Sequence, residues 1–233
     1  MTERRFEFLR PDEYNAIRKT EPIAYLPWGA HEWHGLHNPL GVDSIKAYRL
    51  CLELANKTGG VVLPPVYCGY STMQRHGQKC TLEFPVELVD QLARHYFTQL
   101  VMEGFRVIVA VLGHYGWAHQ KAIQNQARRA TEDWAHCLRV IAEPDYTWTQ
   151  PEYPGDHGAA NETSYMMAFY PETVDLSKLP PVSDSVKLDF NRDGIGGPDP
   201  RTEASADRGR KQLDLLLARA VPQIISALAE TRK

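Results

Sequence analysis

Residues 105–112, with the sequence Phe-Arg-Val-Ile-Val-Ala-Val-Leu, constrain the fold more than any other stretch of the chain. Every residue except Arg106 is apolar, and β-branched side chains dominate. A strand without a polar face has no side to turn towards water, so it must be covered on both faces. The stretch therefore predicts an interior strand of a parallel sheet, bounded by Gly104 and Gly113.

Strand-like and helix-like patterns alternate around this stretch. Short apolar runs predict further strands at 23–27, 61–63 and 138–142. Apolar residues at helical spacing predict helices over 44–57, 85–103, 118–133 and 203–231, and a further helix is expected from the stretch 156–164 to about residue 169. This alternation indicates an α/β fold with helices on both faces of a mostly parallel sheet. The length of 233 residues suits a single domain over residues 1–233.

Composition is that of an ordinary soluble protein, with 43% hydrophobic and 24% charged residues. The net charge of −3 favours neither nucleic acid nor an anionic membrane, so we expect a small-molecule partner. No run of about 18 apolar residues occurs, and the amino terminus lacks a signal-peptide core. We therefore expect a cytoplasmic protein.

The four cysteines form no CxxC pair, which excludes a zinc ribbon or a thiol redox motif of that kind. We expect Cys51, Cys68, Cys80 and Cys137 to be reduced thiols.

The segment after the first predicted strand concentrates polar groups that can bind a metal. Alternate side chains of an extended segment share a face, so Glu32 and His34 can point into one cavity. The glycines and proline of residues 35–41 favour a turn that returns Asp43 to the same place. Two carboxylates and an imidazole suit Zn, Mn or Fe. The alternative is a histidine-rich loop whose polar groups pair with one another.

A second polar group follows the strongest strand. His114 lies just beyond its carboxyl end, the edge at which parallel sheets bind ligands. The same edge holds the loop that contains Glu32, so the two are expected to meet. The alternative is a core histidine bonded to backbone. Residues 67–83 are polar, aromatic and without periodicity, which is typical of a lid or binding loop.

Four motifs resemble the creatininase (creatinine amidohydrolase) family, in the family's order and at similar separations. They are Glu32-Trp33-His34-Gly35, residues 37–43 (His-Asn-Pro-Leu-Gly-Val-Asp), Gly113-His114-Tyr115 and residues 157–164 (His-Gly-Ala-Ala-Asn-Glu-Thr-Ser). The resemblance covers residues 22–175. It implies a metal-dependent hydrolase with a three-layer α/β/α fold, often assembled as a homo-oligomeric hexamer.

The resemblance also implies roles for single residues. One divalent metal would lie among Glu32, Asp43 and His114, and a second beside His34 and Asp43, with Asp43 bridging the two. His157 takes the place of the family's catalytic histidine, and Asp156 beside it is a candidate to orient its ring.

The chain departs from the creatininase pattern at Gly116, where creatininase has a glutamate that binds the second metal. Either Glu162 replaces that ligand or the second site is weak or empty. Glu162 could also act as a catalytic base, or be an acidic residue favoured by a helix amino terminus. His157 could be a structural hydrogen bonder instead of a proton donor.

The expected chemistry is attack of metal-activated water on a carbonyl of a small, cyclic, polar substrate, with one or two divalent ions per chain. The bond cleaved is the C–N bond of a cyclic amide or, alternatively, a C–C bond of a cyclic diketone such as a diketo-inositol of the 3-dehydro-scyllo-inosose type. Gly116 and four polar residues in the predicted lid (Arg75, His76, Gln78 and Lys79) favour a substrate other than creatinine. The alternative to an enzyme is a non-catalytic protein that binds a small molecule.

We expect His31, His37, His76 and His119 to lie behind the ligands or at the surface.

Overall fold

The computed structural model describes residues 2–183 and 187–231. Its five strands are β1 (Ile23–Gly29), β2 (Val61–Val62), β3 (Val66–Tyr67), β4 (Val107–Leu112) and β5 (Arg139–Pro144). The α-helices within these residues are α1 (Pro11–Thr20), α2 (Val42–Thr58), α3 (Val86–Met102), α4 (Trp117–Asp133), α5 (Ala160–Phe169), α6 (Phe190–Asp193), α7 (Pro200–Glu203) and α8 (Ala206–Glu230).

All strand pairs are parallel, and the sheet runs in the order β2–β1–β4–β5, with β3 also paired to β1. Strands β1 and β4 lie side by side from the Ile23–Val107 pair to the Trp28–Leu112 pair. Both are buried along their whole length. The predicted interior strand is therefore confirmed, and β4 has a neighbour on each side.

Helices cover both faces of the sheet. One face packs against α3 and α4, with Phe97 and Ile123 in the same buried cluster as Trp28 and Ile108 of the strands. The other face packs against α2, α5 and α8, which contribute Leu50, Tyr165 and Leu216 to a second cluster. This confirms the three-layer α/β/α architecture with a mostly parallel sheet. All four cysteines are free, as expected.

Two helical features differ from the sequence prediction. Helix α1 was not predicted, because only Ile17 of its residues is buried and the apolar pattern is correspondingly faint. The predicted helix over 203–231 is broken between α7 and α8. Ser205 breaks it, since its extended backbone lets the hydroxyl accept a hydrogen bond from the Arg208 amide and cap α8.

Helix α8 is long and apolar enough to cross a membrane by length and composition alone. Its residues Leu216, Ala220 and Ile224 are instead fully buried against the sheet layer. A core helix of a soluble protein passes the same test, so the feature carries little weight for a membrane.

The connections of β1 create a crevice at one edge of the sheet. The chain leaves β1 for β2 on one side and then returns to β4 on the other. In such sheets the loops after the two strands diverge, and the gap between them is the usual ligand site. The segments after β1 and β4 contain the predicted metal ligands.

Two glycines let the first turn of α2 reach this crevice. A Cβ on Gly29 would lie 2.4 Å from the Ser44 nitrogen, and one on Gly113 would lie 2.0 Å from the Asp43 carbonyl oxygen. The atoms in the way belong to the backbone, which cannot rotate aside. The glycines therefore fix the position of Asp43 against the ends of β1 and β4.

We predict that Gly113→Ala destabilises the protein by about 3 kcal/mol, because the added methyl group displaces the first turn of α2. Urea unfolding followed by circular dichroism measures the change. Gly41→Ala is the matched control, since its Cβ would meet nothing closer than 3.7 Å and should cost less than about 1 kcal/mol. Equal stability of the two variants would contradict this account.

Candidate metal centre

The five predicted ligands lie together at the crevice. The loop after β1 supplies Glu32 and His34, the first turn of α2 supplies Asp43, and the end of β4 supplies His114. Glu162 comes from the first turn of α5. All five are buried. The fold thus removes from water a set of carboxylates and imidazoles drawn from four separate segments.

Asp43 is the centre of the set. Its Oδ1 lies 2.9 Å from His34 Nε2, and its Oδ2 lies 3.1 Å from His114 Nδ1. Glu32 Oε2 is 2.8 Å from the same His114 nitrogen, and Glu162 Oε2 is 3.3 Å from His34 Nε2. The ligands form two groups that share Asp43: one with Glu32 and His114, and one with His34 and Glu162.

The hydrogen bonds of the two imidazoles leave one nitrogen of each facing carboxylates. His34 Nδ1 donates to the Glu32 carbonyl oxygen at 3.0 Å, so its Nε2 is the nitrogen directed at Asp43 and Glu162. His114 Nε2 donates to the Tyr70 carbonyl oxygen at 2.9 Å, so its Nδ1 is directed at Glu32 and Asp43. A lone pair cannot face carboxylates at these distances without a positive charge between them.

A proton or a metal cation can supply that charge. Burial by itself would lower the pKa of His34 and His114, but the carboxylates around each ring outweigh it and raise both pKa values well above the usual range. Ligand atoms about 2.1 Å from one cation are about 3.0–3.4 Å apart in octahedral or tetrahedral geometry. The separations of 2.8–3.3 Å observed here are close to that range, so the residues fit a divalent metal.

Glu162 has its two oxygens in different roles. Oε1 accepts a hydrogen bond from the Lys46 ammonium at 2.7 Å, while Oε2 accepts one from the Gly158 amide at 2.8 Å and faces His34. Burial would raise the pKa of Glu162, but Lys46 and then His34 outweigh it and lower the pKa to about 2. These contacts favour a role for Glu162 as an ionised metal ligand. They do not favour a role as a catalytic base.

His157 lies at the edge of the ligand set. Its ring centroid is 4.2 Å from that of His34, and its Nε2 donates to the Trp33 carbonyl oxygen at 2.9 Å. Its Nδ1 is therefore the proton-accepting nitrogen. Burial, followed by the charge on His34, lowers the pKa of His157, so the ring is neutral at pH 7. A neutral ring accepts a proton before it can donate one.

Asp156 does not orient this ring as expected. Its carboxylate accepts hydrogen bonds from the amides of Asn161 at 2.6 Å and Glu162 at 3.1 Å. These are amides of the first turn of α5, so Asp156 caps that helix and fixes the backbone of Glu162. Burial, together with the charge of Glu162, raises its pKa to about 7.

A cavity of about 500 Å³ opens onto two of the candidate ligands, Glu32 and His114, and onto His157. Its aromatic walls include Tyr115, Tyr146 and Phe190, and its polar lining includes Thr72 and Gln150. Among the described residues that line it, none is a lysine or an arginine.

The predicted lid over residues 67–83 supplies four residues to the cavity lining: Ser71, Thr72, Met73 and His76. Of the polar residues on which the expectation about the substrate depended (Arg75, His76, Gln78 and Lys79), only His76 lines the cavity. Arg75 pairs with Glu83, and the Gln78 side chain bonds the backbone of Asn191. These four polar residues therefore give little support to a substrate other than creatinine, and that inference depends on Gly116.

The remaining histidines divide between the interior and the surface of the site. His37 and His119 are buried, the first bonded to the Thr163 hydroxyl at 3.0 Å and the second edge-on to the His114 ring at 5.0 Å. His31 stacks on Tyr67.

Gly116 has no space for a side chain. A Cβ there would lie 2.5 Å from the Tyr70 carbonyl oxygen and 2.8 Å from His114 Nε2. A glutamate at this position would need a different course of the backbone around residues 70 and 116. Glu162 Oε2 lies 3.3 Å from His34 Nε2, as required if Glu162 replaces the creatininase glutamate as a ligand.

Lys46 is a residue of this site that sequence reasoning missed. It follows Asp43 by three positions in α2, and residues so spaced lie on one helix face. That spacing was the available signal, but a lysine on a helix is ordinarily exposed to solvent.

Comparison with known proteins gives related sequences over the full fold. Residues 7–224 match the family model described as "Creatininase: Creatinine amidohydrolase". A creatinine amidohydrolase of Pseudomonas putida is 28% identical over 247 residues, covering 94% of this chain and 93% of that protein. A 3-dehydro-scyllo-inosose hydrolase of Thermotoga maritima is 27% identical over 164 residues, covering 64% of this chain and 51% of that protein.

Solved creatininases share the fold. A mutant creatininase of the Zn–Zn type superposes with a TM-score of 0.80 at 23% identity, covering 98% of this chain and 99% of that one. The structure "Creatininase Mn" gives 0.81 at 21% identity, with 97% and 99% covered. A mutant creatininase complexed with creatine gives 0.78 at 22% identity, again with 97% and 99% covered. Since the family model matches residues 7–224, the chain belongs to the creatininase family of hydrolases.

Proposed function

We propose that this protein is a divalent-metal-dependent hydrolase that adds water to a carbonyl carbon of a small, cyclic, uncharged polar substrate. The observation that carries the proposal is the pair of buried ligand groups that share Asp43, each with an imidazole nitrogen facing two carboxylates. Solved creatininases of the Zn–Zn type and with Mn support a transition metal. We also propose that the protein is a homo-oligomer, as the family resemblance implies, and that it is located in the cytoplasm.

The charges of the site support cation binding. The buried carboxylates include those of Glu32, Asp43, Asp145 and Glu162. The buried Lys46 ammonium pairs with two of them, Asp145 and Glu162. Uncompensated buried charge is costly. Divalent cations would compensate the remaining carboxylates and leave both imidazoles neutral, as ligands must be.

Each residue has a defined part in this proposal. Glu32, Asp43 and His114 would hold one cation, and His34, Asp43 and Glu162 the other. A bound divalent cation supplies the Lewis acidity that lowers the pKa of water and stabilises negative charge on a carbonyl oxygen. Asp43, through its two oxygens, keeps the two positions adjacent.

Proton transfer falls to His157. Its neutral Nδ1 accepts the proton of the attacking water, and the same nitrogen returns it to the leaving atom. The hydrogen bond from Nε2 to the Trp33 carbonyl oxygen keeps the ring in the tautomer that this cycle needs. The aromatic walls formed by Tyr115, Tyr146 and Phe190 restrict water and hold a flat ring against the site.

The first candidate substrate is a cyclic amide, cleaved at its C–N bond. The similarity to the Pseudomonas putida creatinine amidohydrolase supports it, because that relative is matched over nearly its whole length. Among the described residues that line the cavity, none is a lysine or an arginine, and this favours an uncharged substrate. Gly116, in place of the creatininase glutamate, favours an amide other than creatinine.

The second candidate is a cyclic diketone of the inositol type, cleaved at a C–C bond. The match to the Thermotoga maritima hydrolase supports it over 64% of this chain. In this reaction the electrons of the broken bond form an enolate, which then takes up the proton that His157 carries.

A substrate screen separates the two candidates. The protein loaded with Zn²⁺ or Mn²⁺ is incubated with a panel of cyclic amides and a panel of oxidised inositols, and products are identified by mass. We expect a gain of one water in one panel, abolished by a chelator. A protein that binds members of either panel without converting them would be a non-catalytic binder, and the proposal would fail.

We predict that Asp43→Asn lowers the affinity for cations at both positions by at least about 100-fold, since the shared negative charge is lost and the one amide oxygen can serve only one of the two positions. Metal analysis and calorimetric titration with Mn²⁺ measure the loss. Asp12→Asn, an exposed residue of the first turn of α1, is the control and should bind as the wild type does. Retention of both cations by Asp43→Asn would rule out the bridge.

We predict that His157→Gln lowers kcat by about 10²–10⁴-fold while cation binding is unchanged. In the wild type, log kcat/KM should rise with pH through the pKa of His157, which burial holds below 6.5, because the base must be neutral. A pH–rate profile with the substrate from the screen measures this. His95→Gln, on the exposed side of α3, is the control. An acid limb that persists unchanged in His157→Gln would assign the proton transfer elsewhere.

A further inference from the structure

Lys46 is fully buried behind the candidate metal centre. Its Nζ lies 2.7 Å from Glu162 Oε1, 2.7 Å from the Tyr115 hydroxyl oxygen and 3.3 Å from the Gly113 carbonyl oxygen. It also lies 3.1 Å from Asp145 Oδ2. The three protons of the ammonium therefore all have acceptors.

The contacts of Lys46 form a continuous chain of hydrogen bonds. The ammonium donates to the Tyr115 oxygen, and the Tyr115 hydroxyl donates to Asp145. At the other end the ammonium donates to Glu162, whose second oxygen faces His34. These hydrogen bonds thus connect Tyr115, which lines the cavity, to the candidate ligand Glu162.

A fully buried lysine is rare and costly, so its partners must account for it. Lys46 itself does not line the cavity, so it would not contact a substrate bound there. Its closest charged partner is Glu162, at 2.7 Å, on the side opposite His34. Its effect on the reaction must therefore pass through Glu162 and Tyr115.

The orientation of Glu162 depends on two donors. Lys46 holds Oε1, and the Gly158 amide holds Oε2 while leaving that oxygen directed at His34. With Lys46 in place, Glu162 can offer a cation one oxygen only. This orientation matters more because position 116 carries no side chain, so Glu162 is the carboxylate that completes the group of His34 and Asp43.

We propose that Lys46 is a positioning residue for the cation beside His34: it fixes Glu162 as a one-oxygen ligand and locks Tyr115 into the cavity wall. This inference rests on the proposed function, because it presumes that the two ligand groups bind cations. Occupancy of the position between His34 and Glu162 then depends on Lys46, while occupancy of the position between Glu32 and His114 does not.

Calorimetric titration with Mn²⁺, with metal content measured after dialysis, tests the proposal. The wild type should bind two ions per chain. Lys46→Met, which keeps the length of the side chain and removes its donors, should bind one ion with wild-type affinity and the other about 10–100-fold more weakly. Arg4→Met is the matched control, since Arg4 pairs with Glu21 far from the site; it removes an ion pair and should keep both ions.

Three results would overturn the proposal. The first is a Lys46→Met variant that is folded by circular dichroism and binds both ions as the wild type does. The second is a folded Lys46→Met variant that loses both ions together. If Lys46→Met does not fold, Lys46→Met/Asp145→Asn removes the stranded carboxylate as well, and wild-type binding of both ions by that double variant is the third. A wild type that binds no Mn²⁺ would instead refute the proposed function, and this inference with it.

Discussion

The contact on which the structure depends is that of one carboxylate with two imidazoles. Asp43 reaches His34 through one oxygen and His114 through the other, and both contacts are buried. Three segments meet at this residue: the loop after β1, the end of β4 and the first turn of α2. Because these groups are out of water, the charge between them must be balanced inside the protein, by protons or by cations.

The sheet and helices explain how such a site can be held. The crevice lies where the chain changes direction in the sheet, between β1 and β4, and glycines at the ends of both strands admit the backbone of α2. The loops in turn are fixed by local bonds, such as that from the Met73 amide to Glu32 Oε1 at 2.6 Å. The ligands are thereby placed before any cation arrives, which is the condition for selective binding.

Much of this arrangement could be predicted from local patterns. The uniform apolar character of β4 placed it inside a parallel sheet, and alternation along the loop after β1 placed Glu32 and His34 on one side. The break before the final helix and the whole of α1 were missed, because a serine cap and a single buried isoleucine are faint signals.

The contacts of Lys46 and Asp156 could not be predicted at all. Lys46 meets Glu162 across 116 residues of sequence, through the packing of α5 beside α2, and no local pattern encodes that meeting. Asp156 is adjacent to His157 in sequence but caps α5 instead of touching the ring. In both cases the three-dimensional packing decides the role of a charged residue.

A crystal structure of the wild-type protein grown with Zn²⁺, with anomalous data collected on both sides of the zinc absorption edge, tests the central claim most directly. We expect two anomalous peaks, one on each side of the Asp43 carboxylate. His114 Nδ1 should coordinate one ion and His34 Nε2 the other, with metal–nitrogen distances of about 2.0–2.1 Å. A map without a peak beside Asp43, in crystals that hold zinc elsewhere, would contradict it.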